Sequence, residues 1–205
     1  MVNYGKFFYL TSGVGIGTLL AKAYFHTRKS PDEMFLRYKE KGINAAYEGL
    51  FESTQLNFTR ALRLLQRNGS IDYSISTFSE LVRHAYFEGM RASLNSALKL
   101  ADDKRHSSVV ENLRRAIGFY TVLNSLGMNG ELQEYLKTQI QPTTAVLIQY
   151  FLVQVADGLL EGEPKKATLN LSIAKRLQNV FKLNPDDRIP ELEEAVNDLW
   201  KKRNN

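Results

Sequence analysis

Apolar residues recur along this chain at three- and four-residue intervals, the spacing of one face of an α-helix, and hardly anywhere in the alternation that a half-buried strand needs. In 107–126, Val109, Val110, Leu113, Ala116, Ile117, Tyr120 and Leu123 form one stripe, while Glu111, Arg114 and Arg115 lie off it. Start and stop signals punctuate the pattern. Ser30-Pro31-Asp32-Glu33 combines an N-cap hydroxyl, a proline at the first helical position and a glutamate at capping-box spacing. Thr77 with Glu80 and Ser108 with Glu111 repeat that spacing, Pro142 and Pro164 can each open a helix, and Gly69, Gly127 and Gly130 mark ends. The helices expected are approximately 32–50, 53–67, 75–101, 107–126, 129–139, 143–160, 165–182 and 189–203. Their short connections make neighbours antiparallel. The fold class expected is all-α, a bundle or short solenoid of about eight antiparallel helices behind an N-terminal transmembrane helix.

Residues 145–160, AVLIQYFLVQVADGLL, are apolar nearly all round, with only Gln149, Gln154 and Asp157 interrupting. A second membrane-contacting helix and the central helix of a bundle both fit. The stretch is short for a span and Asp157 is costly in lipid, which favours the core helix.

The first thirty-one residues contain no Asp or Glu, and FFYLTSGVGIGTLLA between Lys6 and Lys22 is uncharged. Phe7 to Phe25 is 19 residues, enough to cover most of a hydrocarbon core of roughly 30 Å. Lys22 sits near the end of that span, where its amine can snorkel, and Lys22, Arg28 and Lys29 are placed to touch lipid headgroups. Tyr4, Tyr9 and Tyr24 fall near the two ends, where aromatic rings favour the interface. Gly13, Gly17 and Ala21 share one helix face and would let another membrane helix approach closely. Residues 1–29 therefore read as an anchor or targeting segment and 30–205 as one helical domain. A cleaved presequence, leaving a soluble matrix protein, is the rival reading, supported by the lack of acids. A buried apolar helix fits less well, because three glycines in five residues weaken a soluble helix. The GVGIG run lacks the third glycine of a phosphate-cradling loop, so no nucleotide site is expected there.

The absence of cysteine excludes disulfides, thiolate metal sites and thiol nucleophiles. The net charge of +5 comes with basic clusters after the anchor, at Arg60, Arg63 and Arg67, and at Lys201, Lys202 and Arg203. Together such clusters can touch anionic lipid headgroups, while each alone reads as part of a mixed solvated surface. No nucleic-acid-binding motif accompanies them, which argues against nucleic acid. Asn57-Phe-Thr, Asn68-Gly-Ser and Asn170-Leu-Ser have the form of glycosylation sequons, but Asn57 and Asn170 fall within expected helices, a poor setting for a glycan.

A pattern recurs in Phe58-x-x-Ala61-x-Arg63-Leu64, Leu94-x-x-Ala97-x-Lys99-Leu100 and Leu171-x-x-Ala174-x-Arg176-Leu177. It resembles the second helix of a tetratricopeptide unit, with Phe58 and Ala61 at its aromatic and alanine positions, and Phe181 to Asp187 is similar to the Asn-Pro ending of such units. The Trp, Gly and Tyr of the first helix of each unit are missing. The layout is also similar to that of small receptors of the outer mitochondrial membrane. These resemblances imply a body facing the cytosol that binds a protein partner, with Phe58, Leu62, Leu94 and Leu98 as candidate groove residues; the same positions also suit the core.

The best candidate for chemistry is Glu80, His84 and Glu88, stacked along one helix face at four-residue spacing. Two carboxylates and an imidazole can hold a metal or move a proton, but an ion-pair stripe with Arg83 and Arg91 is the commoner outcome of such spacing. No Ser or Thr stands in a nucleophile context. The function expected is a non-enzymatic adaptor or receptor at a mitochondrial membrane, single-pass, without cofactor or small-molecule substrate. The outer membrane is favoured and the inner is the alternative. An accessory subunit docked through Gly13, Gly17 and Ala21 is the second reading.

Overall fold

The computed structural model describes residues 30–69 and 71–204, and those residues form seven helices and no strand. They are α1 Pro31–Tyr47, α2 Phe51–Arg67, α3 Ile75–Asp102, α4 His106–Leu126, α5 Gly130–Leu160, α6 Pro164–Val180 and α7 Arg188–Asn204. The first start follows the capping chemistry: Ser30 Oγ accepts from Glu33 N at 3.1 Å, and Glu33 Oε2 accepts from Ser30 N at 3.2 Å. Other starts differ from expectation. Ser74, not Thr77, caps α3, accepting from Thr77 N at 3.0 Å. Ser108 lies inside α4, which has no side-chain cap, and Gly130 opens α5 rather than closing a helix.

The largest difference is at Pro142. It does not begin a new helix; the two segments expected at 129–139 and 143–160 are one helix with a π turn at Leu136–Ile140. A proline ring inside an α-helix collides with the carbonyl four residues back and donates no hydrogen bond. The wider turn, in which Gln141 N donates to Leu136 O, absorbs both problems just ahead of the ring. It also shifts the helical phase, so Leu132, Leu136 and Ile140 and then Leu147, Phe151 and Val155 all point into the core. The outward side of the same helix carries Val146, Val153 and Leu160, all exposed. By length and composition α5 is apolar enough to cross a membrane, while its inner face is core.

Helices pair in sequence order as three antiparallel hairpins, α1–α2, α3–α4 and α5–α6; the first helices α1, α3 and α5 pack on one another, and α7 covers α5 and α6. All three hairpins turn through the same device. Gly49, Lys104 and Gly162 have φ of 68°, 56° and 70°. The next residue in each case donates back across the helix end, Leu50 to Ala45 O at 2.8 Å, Arg105 to Leu100 O at 2.9 Å and Glu163 to Gly158 O at 2.8 Å, the Schellman pattern. At one common offset past these turns stand Asn57-Phe58-x-x-Ala61, Asn112-Leu113-x-x-Ala116 and Asn170-Leu171-x-x-Ala174. Each asparagine donates Nδ2 to the carbonyl four residues back, at 2.8, 2.9 and 3.0 Å, and the three alanines are fully buried. The internal repeat is therefore a hairpin. Leu94 and Ala97 belong to the first helix of the second hairpin, and Leu113 and Ala116 are the counterparts of Phe58 and Ala61. Asn57 and Asn170 are buried repeat positions, with no room for a glycan.

The shared turn makes a prediction. A non-glycine residue in the left-handed region costs about 1 kcal/mol. Lys104→Gly is expected to raise the unfolding free energy of the full-length chain by about 0.5 kcal/mol, read from the urea midpoint at constant slope. Gly162→Ala, whose Cβ would meet nothing within 4 Å, is expected to lose about 1 kcal/mol from backbone strain alone. Equal midpoints for Lys104→Gly and the parent chain would rule out strain at that turn.

One core runs from α1 to α7. Phe35 packs on Tyr73 and Phe78 at 5.3 and 5.7 Å between ring centroids, and Phe119 sits edge-on to Phe51 and Tyr86 at 5.2 and 5.6 Å. At the far end Tyr120 meets Phe181 at 5.1 Å. Trp200 Nε1 donates to Thr168 Oγ1 at 3.0 Å, fastening α7 to α6.

Candidate functional site

The first helices touch along only part of their length. Between the first half of α3 and the start of α5 lies a cleft of about 550 Å³. Glu80, His84 and Glu88 all line it, so the stripe read from four-residue spacing faces one space. The opposite wall comes from Asn129 to Gln139, the segment ahead of and within the π turn. Asn129 Oδ1 accepts from Leu132 N at 2.9 Å, which caps α5 and fixes the position of Glu131 in its first turn. Across the cleft Phe87 and Tyr135 meet with ring centroids 5.8 Å apart. Phe87 is buried and Tyr135 is 41% exposed, so Tyr135 is the accessible aromatic of the lining.

The charges divide into engaged and open groups. Arg91 pairs with Glu88 at 2.6 Å, and the Glu88 side chain is only 12% exposed. Arg83 Nε donates to Leu126 O at 3.3 Å, at the carbonyl end of α4 where a cation is favoured. Glu80, His84 and Glu131 are exposed, and neither Glu80 nor Glu131 makes an ion pair among the described residues. No cluster of three His, Asp or Glu with metal-holding geometry occurs among the described residues. The cleft thus offers open carboxylates, an imidazole and an aromatic ring, a set suited to binding.

The remaining candidates separate. Phe58 and Leu94 are buried in the core and present nothing to a partner; Leu62 and Leu98 are partly buried against it. Gly13, Gly17, Ala21, Lys22, Arg28 and Lys29 lie outside the described residues.

Two other places carry perturbed or grouped polar residues. His106, at the start of α4, stacks edge-on to Phe151 at 5.6 Å and lies 3.4 Å from Tyr150 Oη; burial, and then the Lys166 charge, push its pKa below the usual imidazole value. At the entry to α7, Arg188 Nε donates to Asp186 Oδ1 at 2.9 Å and holds that carboxyl well below the usual range, while Gln149 Nε2 donates to Asp186 Oδ2 at 3.0 Å. Beside this clamp an apolar groove of about 450 Å³ runs between Leu152 and Val153 of α5 and Leu192 and Ala195 of α7. The second wall of the main cleft was not legible as a site, because nothing in Asn129 to Gln139 stands out until α5 is known to run on past Pro142. No protein-family model, no curated protein and no solved structure matches the chain.

Proposed function

We propose that this chain is a non-enzymatic, membrane-anchored helical adaptor or receptor that holds a protein partner at a mitochondrial membrane. In this reading residues 1–29 are a single-pass anchor and 30–205 face the cytosol from the outer membrane. The observation that carries it is the distribution of charge: no acid before Asp32, no charge between Lys6 and Lys22, and Arg28 and Lys29 just ahead of a capped helix. The stacked hairpins support the partner-binding half. Arrays of helical hairpins present grooves suited to amphipathic helices or extended segments, and the α3–α5 cleft lies between two hairpins.

The test is alkaline carbonate extraction of the full-length chain from mitochondria, with intact mass measured on the same sample. The protein is expected in the pellet with residues 1–29 retained, and its body is expected to be digested when protease is added to intact organelles. A soluble protein that has lost its first ~30 residues would overturn the anchor and favour a matrix protein. A second reading has one specific observation behind it. Gly13, Gly17 and Ala21 share a helix face suited to close packing, as an accessory subunit of a membrane complex would need. Loss of co-purifying membrane subunits on Gly13→Leu with Gly17→Leu would favour that reading.

A further inference from the structure

We propose that the α3–α5 cleft selects a basic peptide segment, one Lys or Arg of which lays its aliphatic stem on Tyr135 and carries its charge to Glu80 and Glu131. The inference rests on the adaptor reading above and gives its partner a chemistry. Three observations lead to it.

First, the charge of the cleft runs against that of the chain. The chain carries a net +5, yet this lining sets three carboxylates against two guanidiniums. Arg91 is paired with Glu88, while Arg83 directs its Nε to the Leu126 carbonyl and keeps its charge, so the lining holds one carboxylate in excess. Glu80 and Glu131, with His84 beside them, are exposed acids of the lining that make no ion pair among the described residues. A segment bearing Asp or Glu would meet like charge, whereas one bearing Lys or Arg finds complementary charge.

Second, the aromatic lining suits a long cationic side chain. Lys and Arg cover apolar surface with their stems while their charged ends stay in water, and a cation over an aromatic face is attracted to it. Tyr135 is exposed and held in place by the buried ring of Phe87, so it is ordered before a ligand arrives.

Third, the cleft has the size and shape of a peptide site. About 550 Å³ accommodates a few side chains. It runs along α3 from Glu80 to Arg91, about three helical turns, which matches a short extended or helical segment.

The test uses the full-length chain in non-ionic detergent and two labelled probes, a peptide of about four Gly-Arg-Leu repeats and its Gly-Glu-Leu counterpart, followed by fluorescence anisotropy. The arginine peptide is expected to bind at least tenfold more tightly. Glu80→Gln with Glu131→Gln is expected to weaken it about tenfold, about 1.4 kcal/mol. Glu194→Gln on α7 should leave the affinity unchanged, and all variants should keep the parent melting temperature. Equal affinity for the two peptides, or an unchanged affinity in the double variant, would overturn the proposal.

A preference for the glutamate peptide that is lost on Tyr135→Ser would also overturn it, while leaving the cleft as a docking site and the adaptor reading intact. Tenfold tighter binding after Arg28→Gln with Lys29→Gln would support the proposal and identify the chain's own basic flank as a competitor for the cleft. Failure of the adaptor reading itself would appear separately, in the carbonate extraction.

Discussion

Phe119→Ala is expected to destabilise the full-length chain by about 4 kcal/mol, read from a urea midpoint at constant slope. Phe119 is fully buried on α4 and is the ring at which two hairpins meet: Phe51 of α2 stands edge-on at 5.2 Å and Tyr86 of α3 at 5.6 Å. Edge-to-face pairs of this kind add about 0.5–1.5 kcal/mol beyond the burial of the ring itself. The site is also poorly able to collapse. A Cβ on Gly89 would stand 2.4 Å from Phe119 Cε1, so α3 is pressed against the face of the ring with only a glycine between them. Removing the ring leaves a cavity lined by rings already fixed by other partners, and cavities that cannot relax give the largest losses. The same geometry predicts coupling. Gly89→Ala alone is expected to cost about 2 kcal/mol by overpacking, whereas in a Phe119→Leu background its cost should nearly vanish, because the smaller side chain relieves most of the contact and the Gly-to-Ala gain in helix propensity offsets the rest. A loss below about 1 kcal/mol for Phe119→Ala would mean that the α2, α3 and α4 interface is not packed as described.

The elements were largely legible in the sequence because their signals are local. The stripe from Val109 to Leu123 is buried or packed against the core as its spacing predicts, and Ser30 with Glu33 caps α1 as their spacing predicts. Errors arose where two local signals competed. Ser74 and Thr77 can each cap a helix, and the earlier hydroxyl wins because it lets Ile75 and the turn after it join α3. Pro142 is a good opener in isolation, but a π turn lets the helix pass through it, and no local rule announces a π turn. The repeat was visible but misaligned. Leucine and alanine at helical spacing match at Leu94 and Ala97 by chance, since any amphipathic helix supplies them. The asparagine ahead of Phe58, Leu113 and Leu171 marks the true register, and its meaning depends on a side chain bonded to the preceding turn. The cleft was half legible. Glu80, His84 and Glu88 share a face by arithmetic, but their opposite wall depends on how α3 and α5 lie together, which no periodicity within one helix contains.

Gly158→Leu is expected to destabilise the chain by about 3 kcal/mol, because it enlarges a side chain where two backbones meet. The three hairpins allow the comparison to be made inside one molecule. Ala45, Leu100 and Gly158 occupy one position, each accepting the hydrogen bond that closes its turn, and Thr54, Val109 and Ala167 stand at one common offset on the returning helices, all three fully buried. The second hairpin therefore tolerates leucine at this position. The third does not have the room: a Cβ at Gly158 would stand 3.0 Å from Ala167 N and 3.2 Å from Ala167 Cα. These are main-chain atoms inside α6 and cannot rotate aside, so a leucine must push α5 and α6 apart and give up packing around Val155, Leu171 and Ala174, which are buried. Gly158→Ala should lose only about 1 kcal/mol, its helix-propensity gain offsetting part of the contact. Gly130→Ala, with no atom within 4 Å of the added carbon, should cost nothing. A leucine at 158 within about 0.5 kcal/mol of the parent chain would mean that α5 and α6 are no closer than α3 and α4. The outcome bears on the cleft as well, since the seating of α5 on α6 sets where Glu131 and Tyr135 stand against α3; a variant that shifts α5 outward should weaken binding of a basic peptide without touching any residue of its site.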